Sequence, residues 1–225
     1  MIFIIQARLS SKRLPNKVLK KINNKELLMY IIERIREISS TNQIYVATSN
    51  NDSDQEIVNF CKSNNFNYYQ GDLENVAKRF LDILKLTKCD SFVRICADSP
   101  LIDQNLILKM IKIYNSGEYD IVTNRNSGFP SGQTVEIINS KKFINSYNFF
   151  QTSEHFEHVT SYFYQMTKNE TRYFFFKSHN DFKNLKLSVD TQSDFERISN
   201  IIRLMKKKHV TYDLKKISEL VENLS

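Results

Sequence analysis

The sequence predicts an α/β fold with a mostly parallel central sheet flanked by helices. Short apolar runs alternate with segments of helical periodicity as far as Thr123, a pattern typical of parallel strands joined by helical crossovers. The chain has 225 residues, of which 41% are hydrophobic and 25% are charged, the balance of a folded protein with one substantial core. We therefore expect a single domain over residues 1–225.

Each element follows from its local pattern. The predicted strands are 2–6, 43–48, 66–70, 91–95, 119–123, 134–138, 172–177 and 185–189. The predicted helices are 26–38, 53–63, 73–87, 104–115, 143–150, 154–166, 191–206 and 214–224. Ser53 with Glu56 forms a capping-box pattern, and Asp103 and Thr191 are predicted N-caps. Because the alternation breaks after Thr123, we expect a small inserted lobe over about 125–165.

Composition limits the classes of protein and partner. No apolar run approaches the ~20 residues that span a bilayer. Three cysteines without metal-type spacing suit a reducing compartment, so we expect a cytoplasmic location. The net charge of +7 allows nucleic acid, a membrane surface or an anionic small substrate as partner. Because no nucleic-acid-binding motif is recognisable, we expect no nucleic-acid partner.

The loop after the first strand is strongly basic. It contains four cations and no acid, namely Arg8, Lys12, Arg13 and Lys17. Such charges repel one another unless an anion lies among them, and strand ends of open α/β sheets are where ligands bind. Backbone N–H groups around Ser10 and Ser11 could add an anion nest. The interpretation is a polyphosphate-binding loop; the alternative is a set of solvated surface charges, since no glycine-rich phosphate motif is present.

Two aspartates follow predicted strands. Asp98 follows strand 91–95 closely, and Asp190 comes directly after strand 185–189. Two carboxylates at strand ends could hold one Mg²⁺ whose other ligands come from a nucleoside triphosphate and water. The alternatives are an Asx-turn at Asp98 and a helix cap at Asp190.

Other catalytic chemistries are weakly indicated. His155 and His158 would share one helical face, but the spacing offers no third metal ligand. Cys96 lies near Asp98, yet there is no nucleophile-elbow motif, so a covalent cysteine is disfavoured.

Five segments carry recognisable motifs in a fixed order: 6–19, 94–103, 129–136, 157–160 and 188–191. Together they resemble the cytidylyltransferase family, which includes CMP-KDO and CMP-sialic acid (acylneuraminate) synthetases. The opening Gln-Ala-Arg is similar to the branch named for spore coat polysaccharide biosynthesis protein F. The likeness spans about residues 2–205.

The resemblance implies a Rossmann-like nucleotide-diphospho-sugar transferase fold, CTP as nucleotide and Mg²⁺ as cofactor. The residues implied on the nucleotide side are Ala7, Arg8, Ser10, Arg13, Lys17, Asp72, Arg79 and Asp98. Of these, Arg8, Arg13, Lys17 and Asp98 are the implied catalytic residues. Those implied on the acceptor side are Arg79, Gly132, Glu136 and His158. Asp98 and Asp190 are the implied metal ligands.

The sequence does not distinguish between two classes of acceptor. An acidic sugar would give a CMP-product and a phosphorylated sugar or polyol would give a CDP-product. Thr134 stands where the family usually has Asp, and Cys96 where it commonly has Thr. The rival interpretations are a nucleotide-sugar-dependent glycosyltransferase and a basic nucleic-acid-binding domain. A homodimer through residues 125–165 is a further expectation from the family.

Overall fold

The computed structural model describes residues 1–167, 171–178, 182 and 185–222. One sheet of seven strands forms the centre, and a two-stranded hairpin stands apart from it. The strands are β1 Ile2–Gln6, β2 Lys21–Ile22, β3 Lys25–Glu26, β4 Ile44–Ser49, β5 Asn67–Gly71, β6 Ser91–Cys96, β7 Ile121–Thr123, β8 Glu136–Asn139 and β9 Tyr173–Phe175.

Eight α-helices accompany these strands in the described part of the chain. They are α1 Leu27–Arg36, α2 Gln55–Ser63, α3 Val76–Thr87, α4 Gln104–Ser116, α5 Ser140–Tyr147, α6 Ser153–His158, α7 Gln192–Leu204 and α8 Leu214–Glu222. None of the helices in these ranges has the length and apolar character needed to cross a membrane.

The order across the sheet is β5-β4-β1-β6-β8-β7-β9. β5, β4, β1 and β6 are parallel to one another, whereas β8 runs antiparallel to both of its neighbours. The predicted α/β fold with a mostly parallel sheet is therefore confirmed. In the central pair, Gln6 of β1 lies opposite Cys96 of β6, so the carboxyl ends of these two strands meet at one edge. β8 comes from the expected insertion of 125–165, so part of that span joins the central sheet.

Alternate residues of β1 face opposite sides of the sheet, and both sides are covered. Phe3 and Ile5 pack in a cluster with α1, α2 and α4. Ile2 and Ile4 pack in a second cluster with α3, α5 and the chain after α6. A third cluster joins α7 and α8 to the extended segment around Leu187. A strand buried on both faces reads as a continuous apolar run, which explains the start of the sequence.

Two of the predicted helix caps are confirmed and one is wrong. The side chains of Asp103 and Thr191 accept hydrogen bonds from backbone N–H groups at the starts of α4 and α7. The capping box predicted at Ser53 does not form, because Asp52–Asp54 is a 3₁₀ turn and α2 begins after it.

The long helix predicted over 154–166 is broken in two. α6 ends at His158, and the next turn is 3₁₀, Ser161–Gln165. Between them Val159 has φ 58° and ψ −54°, and the N–H of Thr160 donates to the carbonyl of His158 at 2.5 Å. This is a γ-turn of the rare positive-φ type, unfavourable for a β-branched residue. The Thr160 hydroxyl compensates by donating to the carboxylate of Glu136 at 2.9 Å.

The strand predicted over 185–189 is also wrong for the described part of the chain. This segment is extended, but its only β-pairing there is an isolated bridge between Ser131 and Lys186. The N–H of Leu187 donates to the carbonyl of Ser131 at 2.8 Å, and that of Val189 to the carbonyl of Asp98 at 2.8 Å. The segment therefore binds to loops at the edge of the sheet and not to a strand within it.

Gly132 is required by this attachment. Its φ is +86°, and a Cβ at this position would lie 2.5 Å from the carbonyl carbon of Leu187. The φ of Gly128 is similar at +84°, but the nearest atom to its Cβ position is the Ser178 Cβ at 3.5 Å. Only Gly132 combines a left-handed backbone with a close backbone approach.

The basic loop is anchored by a buried carboxylate. Asp54 is fully buried, and its Oδ1 accepts from the N–H of Leu9 at 2.6 Å. Its Oδ2 accepts from the hydroxyl of Ser49 at 2.5 Å and from the N–H of the same residue at 3.2 Å. Asp54 thus ties the loop after β1 to the end of β4.

We expect Gly132→Ala to lower the free energy of unfolding by about 2–4 kcal/mol, because backbone strain and steric overlap add. The control Gly128→Ala should cost about 1–2 kcal/mol, since only the backbone strain applies there. Urea unfolding of both variants measures the difference. Equal losses would show that the contact with Leu187 is not the constraint.

We expect Asp54→Ala to lower the free energy of unfolding by about 3 kcal/mol, because it leaves buried donors at Leu9 and Ser49 unsatisfied. Asp52→Ala, two residues away and exposed, should change stability by no more than about 0.5 kcal/mol. Thermal and urea unfolding measure both. A loss in the control as large as in Asp54→Ala would contradict the anchoring role.

Candidate active site

A cavity of roughly 810 Å³ opens where the carboxyl ends of β1 and β6 meet. Its walls come from the loop after β1, the end of β6, the start of α3, the end of α6 and Asp190. Four cations that line the cavity belong to one loop, Arg8, Lys12, Arg13 and Lys17. The basic loop predicted from the sequence therefore faces a concave site at a strand edge, where ligands of α/β proteins bind.

The basic loop is held by its own backbone as well as by Asp54. The carbonyl of Leu9 accepts from the N–H of Ser11 at 2.8 Å and from the N–H of Asn16 at 3.1 Å. Asn16 adopts a left-handed conformation with φ 57°, which asparagine tolerates well. Leu9 and Leu14 are buried beneath the loop. These bonds and apolar contacts fix the loop, so that its charged side chains line the cavity.

Lys17 joins the two aspartates that sequence analysis singled out. Its Nζ donates to the carbonyl of Val189 at 2.7 Å and to Oδ1 of Asp190 at 3.1 Å. It also lies 3.6 Å from Oδ2 of Asp98. Arg13 makes a second ion pair with Asp190, with Nη2 3.1 Å from Oδ1. Asp98 and Asp190 are thus brought together although they are far apart in sequence.

The arrangement of Asp98 and Asp190 fits a hard divalent cation that also binds phosphate. Both carboxylates contact the same ammonium group, that of Lys17, so a small cation between them could reach both. Within the described ranges there is no group of three or more His, Cys, Asp or Glu side chains that could hold a metal ion. Mg²⁺ commonly uses one or two carboxylates and takes its other ligands from phosphate oxygens and water. The donor set therefore suits a metal that is shared with a nucleotide.

A buried polar network lies behind the cavity wall. Arg94 lines the cavity and forms an ion pair with Glu136, and its Nε donates to the side chain of Gln6 at 2.9 Å. Burial disfavours the charged guanidinium, but the carboxylate of Glu136 outweighs this effect and raises the pKa of Arg94. Thr160 and Tyr164 also donate to Glu136. Burial and the neighbouring carboxylate raise the pKa of Tyr164, which keeps its hydroxyl protonated as a donor.

The end of α6 forms the opposite wall. Oε1 of Glu157 lies 2.9 Å from Nη2 of Arg8, which links α6 to the basic loop. His158 is exposed and lines the cavity. His155 points elsewhere, because its Nε2 is 2.9 Å from the side-chain oxygen of Gln165 and its ring is buried. The two histidines therefore do not form a metal pair.

Arg79 supports the wall formed by the start of α3. Its guanidinium donates to the carbonyls of Asp72 and Leu73, both at 2.8 Å, and burial lowers its pKa to about 10. The carboxylate of Asp72 accepts from the N–H groups of Glu74 and Asn75 at 2.8 and 2.7 Å. Asp72 thus shapes the turn before α3, and the cavity surface is formed by other residues.

The structure brings most of the predicted site residues to one cavity. Those that line it are Ala7, Arg8, Ser10, Arg13, Lys17, Arg79, Asp98, His158 and Asp190. Three others lie outside the lining: Asp72 in its turn, Gly132 against the segment of Leu187, and Glu136 behind Arg94.

Sequence reasoning did not assign a role to four residues that shape this site, namely Asp54, Arg94, Glu157 and Thr160. Arg94 had a usable signal, since an arginine inside the apolar run 91–95 needs a buried partner. Cys96 also lines the cavity, and burial raises the pKa of its thiol to about 12. A thiol held protonated is a poor nucleophile, so Cys96 is not suited to covalent catalysis.

A second cavity of roughly 600 Å³ lies between α1 and the chain after α7. Glu33 lies 2.6 Å from Nζ of Lys25 and 2.5 Å from Nε2 of His209. The buried Nδ1 of His209 has no hydrogen-bond partner among the described residues. Burial lowers the pKa of His209 to about 4, so its ring is neutral at pH 7. This cavity lacks the strand ends and the paired aspartates of the first, and we assign the chemistry to the first.

Comparison with known proteins identifies the family. The family model for cytidylyltransferases matches residues 2–218. The spore coat polysaccharide biosynthesis protein SpsF of Bacillus subtilis is 27% identical over 210 residues, covering 88% of this chain and 84% of its own. The 3-deoxy-manno-octulosonate cytidylyltransferase 2 of Hydrogenovibrio crunogenus is 30% identical over 119 residues, covering 52% of this chain and 47% of its own.

A solved structure supports the same fold. A cytidylyltransferase from Leptospira borgpetersenii superposes with a TM-score of 0.91, covering 99% of this chain and 94% of its own, at 23% sequence identity. This likeness confirms the Rossmann-like architecture, and the family match extends over nearly the whole chain. The chain therefore belongs to the cytidylyltransferase family and is a nucleotidyltransferase.

Proposed function

We propose that the protein transfers a cytidylyl group from CTP to an acidic sugar or to a phosphorylated sugar or polyol, releasing pyrophosphate. The product would be a CMP- or CDP-linked donor for surface polysaccharide or glycoconjugate synthesis. The observation that supports this most directly is the cluster of Lys17, Asp98 and Asp190 beside Arg8 and Arg13 at one strand edge. It supplies cations for a triphosphate and carboxylates for a metal in one place.

In this proposal an oxygen of the acceptor attacks the α-phosphorus of CTP in line, and the bond to the pyrophosphate oxygen breaks. The nucleophile is a hydroxyl for an acidic sugar and a phosphate oxygen for a phosphorylated acceptor. The protein positions the reactants and offsets charge, as phosphoryl-transfer enzymes generally do. Mg²⁺ bound by Asp98 and Asp190 would neutralise phosphate oxygens and polarise the reacting phosphate.

The charged residues of the loop have separate tasks. Arg8, Arg13 and Lys17 would bind the triphosphate and offset the negative charge that grows on the departing pyrophosphate. The backbone around Ala7 and Ser10 lines the same cavity and would contact the nucleotide.

The acceptor side would lie toward α6 and the end of β6. His158 is exposed there and is the candidate for a direct contact with the acceptor. Glu136 is buried and bound to Arg94, Thr160 and Tyr164, so it would act by holding Arg94 at the wall. Arg79 and Gly132 would support the site through the backbone contacts they make.

The rival functions are less well supported. A metal-dependent glycosyltransferase usually needs an Asp-x-Asp motif at its site, and the Asp52-Ser53-Asp54 of this chain has its second aspartate fully buried as a structural anchor. A nucleic-acid-binding domain would bind with a steep salt dependence and release no pyrophosphate. A homodimer through 125–165 and a cytoplasmic location stay predictions.

The reaction is tested by incubating the protein with Mg²⁺, each of CTP, UTP, ATP and GTP, and a pool of acidic sugars and sugar or polyol phosphates. We expect acceptor-dependent pyrophosphate release with CTP, and product masses that show whether CMP or CDP is attached. Release with another nucleotide alone would overturn the assignment of CTP. Absence of both release and CTP binding would refute the proposed function.

We expect Asp98→Asn to reduce turnover by about 10²–10³-fold, because one charged contact to the reacting phosphates or their metal is lost. The fold should remain, since the Asp98 side chain is 30% exposed. The exposed Asp52→Asn is the matched control and should retain full turnover. Steady-state kinetics and circular dichroism give the result, and near-normal turnover of Asp98→Asn would exclude the metal role.

We expect Glu157→Gln to tighten CTP binding by about two- to fivefold, because Arg8 would no longer have to break its ion pair with Glu157 before it binds the triphosphate. The gain is small because a half-exposed ion pair contributes little free energy. Glu154→Gln, an exposed change on the same helix, is the control and should leave binding unchanged. Calorimetric titration with CTP measures both. Weaker binding in Glu157→Gln would instead mean that Glu157 contacts the nucleotide itself.

A further inference from the structure

Lys17 has contacts that differ from those of the other loop cations. Its side chain is 12% exposed, against 66% for Arg13 and 41% for Arg8. Its ammonium faces Asp190 at 3.1 Å, the carbonyl of Val189 at 2.7 Å and Asp98 at 3.6 Å. Three oxygen-bearing groups thus surround one positive charge in a largely buried position.

The same oxygens are those that a hard cation prefers. Carboxylate and carbonyl oxygens suit both a lysine ammonium and a divalent metal, so the two cations compete for one place. Two carboxylates this close would repel each other without a cation between them. Lys17 supplies that cation from within the chain.

We propose that Lys17 is an internal substitute for the divalent cation, so that the metal enters the site together with the nucleotide. The triphosphate offers the ammonium of Lys17 a stronger anionic partner. When the ammonium moves from the aspartates to the triphosphate, both carboxylates become free for the metal. Free metal alone must instead compete with a tethered ammonium. This inference depends on the proposed metal role of Asp98 and Asp190 and adds an order of binding to it.

The consequence is a positive coupling between CTP and metal that acts through Lys17. Coupling of this kind is reciprocal, and its usual size is about 5–150-fold in affinity. Asp98 and Asp190 would then hold the metal beside the bound triphosphate. Between turnovers, Lys17 would also offset part of the negative charge of the two aspartates.

The test measures Mn²⁺ binding to the full chain without nucleotide, by the loss of the free-ion electron paramagnetic resonance signal. We expect Lys17→Met to bind Mn²⁺ about tenfold more tightly than the wild type. The matched control is Lys12→Met, which removes the same charge from an exposed position in the same loop. Lys12→Met should bind Mn²⁺ as the wild type does. Equal binding by Lys17→Met and the wild type, or an equal gain in Lys12→Met, would overturn the inference.

A double variant separates this inference from the proposed function. Lys17→Met with Asp98→Asn should lose the gain in Mn²⁺ affinity. If it keeps the gain, Asp98 is not a metal ligand and the proposed metal site itself fails. If wild type and Lys17→Met bind Mn²⁺ equally while Asp98→Asn weakens both, the metal site stands and only the substitution by Lys17 fails.

A measurement on the wild type covers the case in which Lys17→Met folds poorly. A metal that binds the folded chain alone raises the melting temperature by mass action. We expect Mg²⁺ alone to leave the melting temperature unchanged, and CTP with Mg²⁺ to raise it above the value with CTP alone. The inference would be contradicted if Mg²⁺ raised the melting temperature of the free protein by as much as it raises that of the protein with CTP.

Discussion

The parallel pairing of β1 with β6 is the constraint on which the site depends. Their register sets Gln6 opposite Cys96, so the basic loop and Asp98 leave the sheet side by side. A backbone hydrogen bond from the N–H of Val189 to the carbonyl of Asp98 then brings Asp190 to the same point. Because Asp190 is held by loops and not by a sheet strand, its position relies on the close approach at Gly132. Backbone contacts thus assemble the site and determine where its charged side chains lie.

Most of the charged side chains at the site are held in ion pairs. Arg8 meets Glu157, Arg13 and Lys17 meet Asp190, and Arg94 meets Glu136. The half-exposed pairs contribute little to stability, because solvent screens them and ordering long side chains costs entropy. The buried pair differs, since removing one partner would leave a desolvated charge. In the proposed function, the exposed pairs made by Arg8 and Arg13 would exchange partners when a polyphosphate binds. The buried pair of Arg94 and Glu136 would stay in place behind the cavity.

Much of the fold and the basic half of the site could be predicted from local pattern. Apolar runs predicted the positions of the parallel strands, and the cluster of like charges after the first strand predicted an anion-binding loop. Contacts between distant parts of the chain could not be predicted in this way. The helix over 154–166 breaks because Thr160 reaches Glu136, and 185–189 leaves the sheet because it binds loops at Ser131 and Asp98. The sequence pattern placed Asp54 inside the helix predicted over 53–63, and its role as an anchor could not be predicted because its partner Leu9 is distant in sequence.

The anchor at Asp54 also affects the thermodynamics of ligand binding. A mobile loop of this length would lose conformational entropy on closing around a ligand, and that loss would weaken binding. Here the carboxylate of Asp54 and the buried side chains of Leu9 and Leu14 already hold the loop. The cost of ordering is met during folding, so association with a polyphosphate should be fast and should show a small entropic penalty. In the proposed function, the stability of α2 and β4 would therefore contribute to the affinity of the basic loop for its ligand, although the loop belongs to neither element.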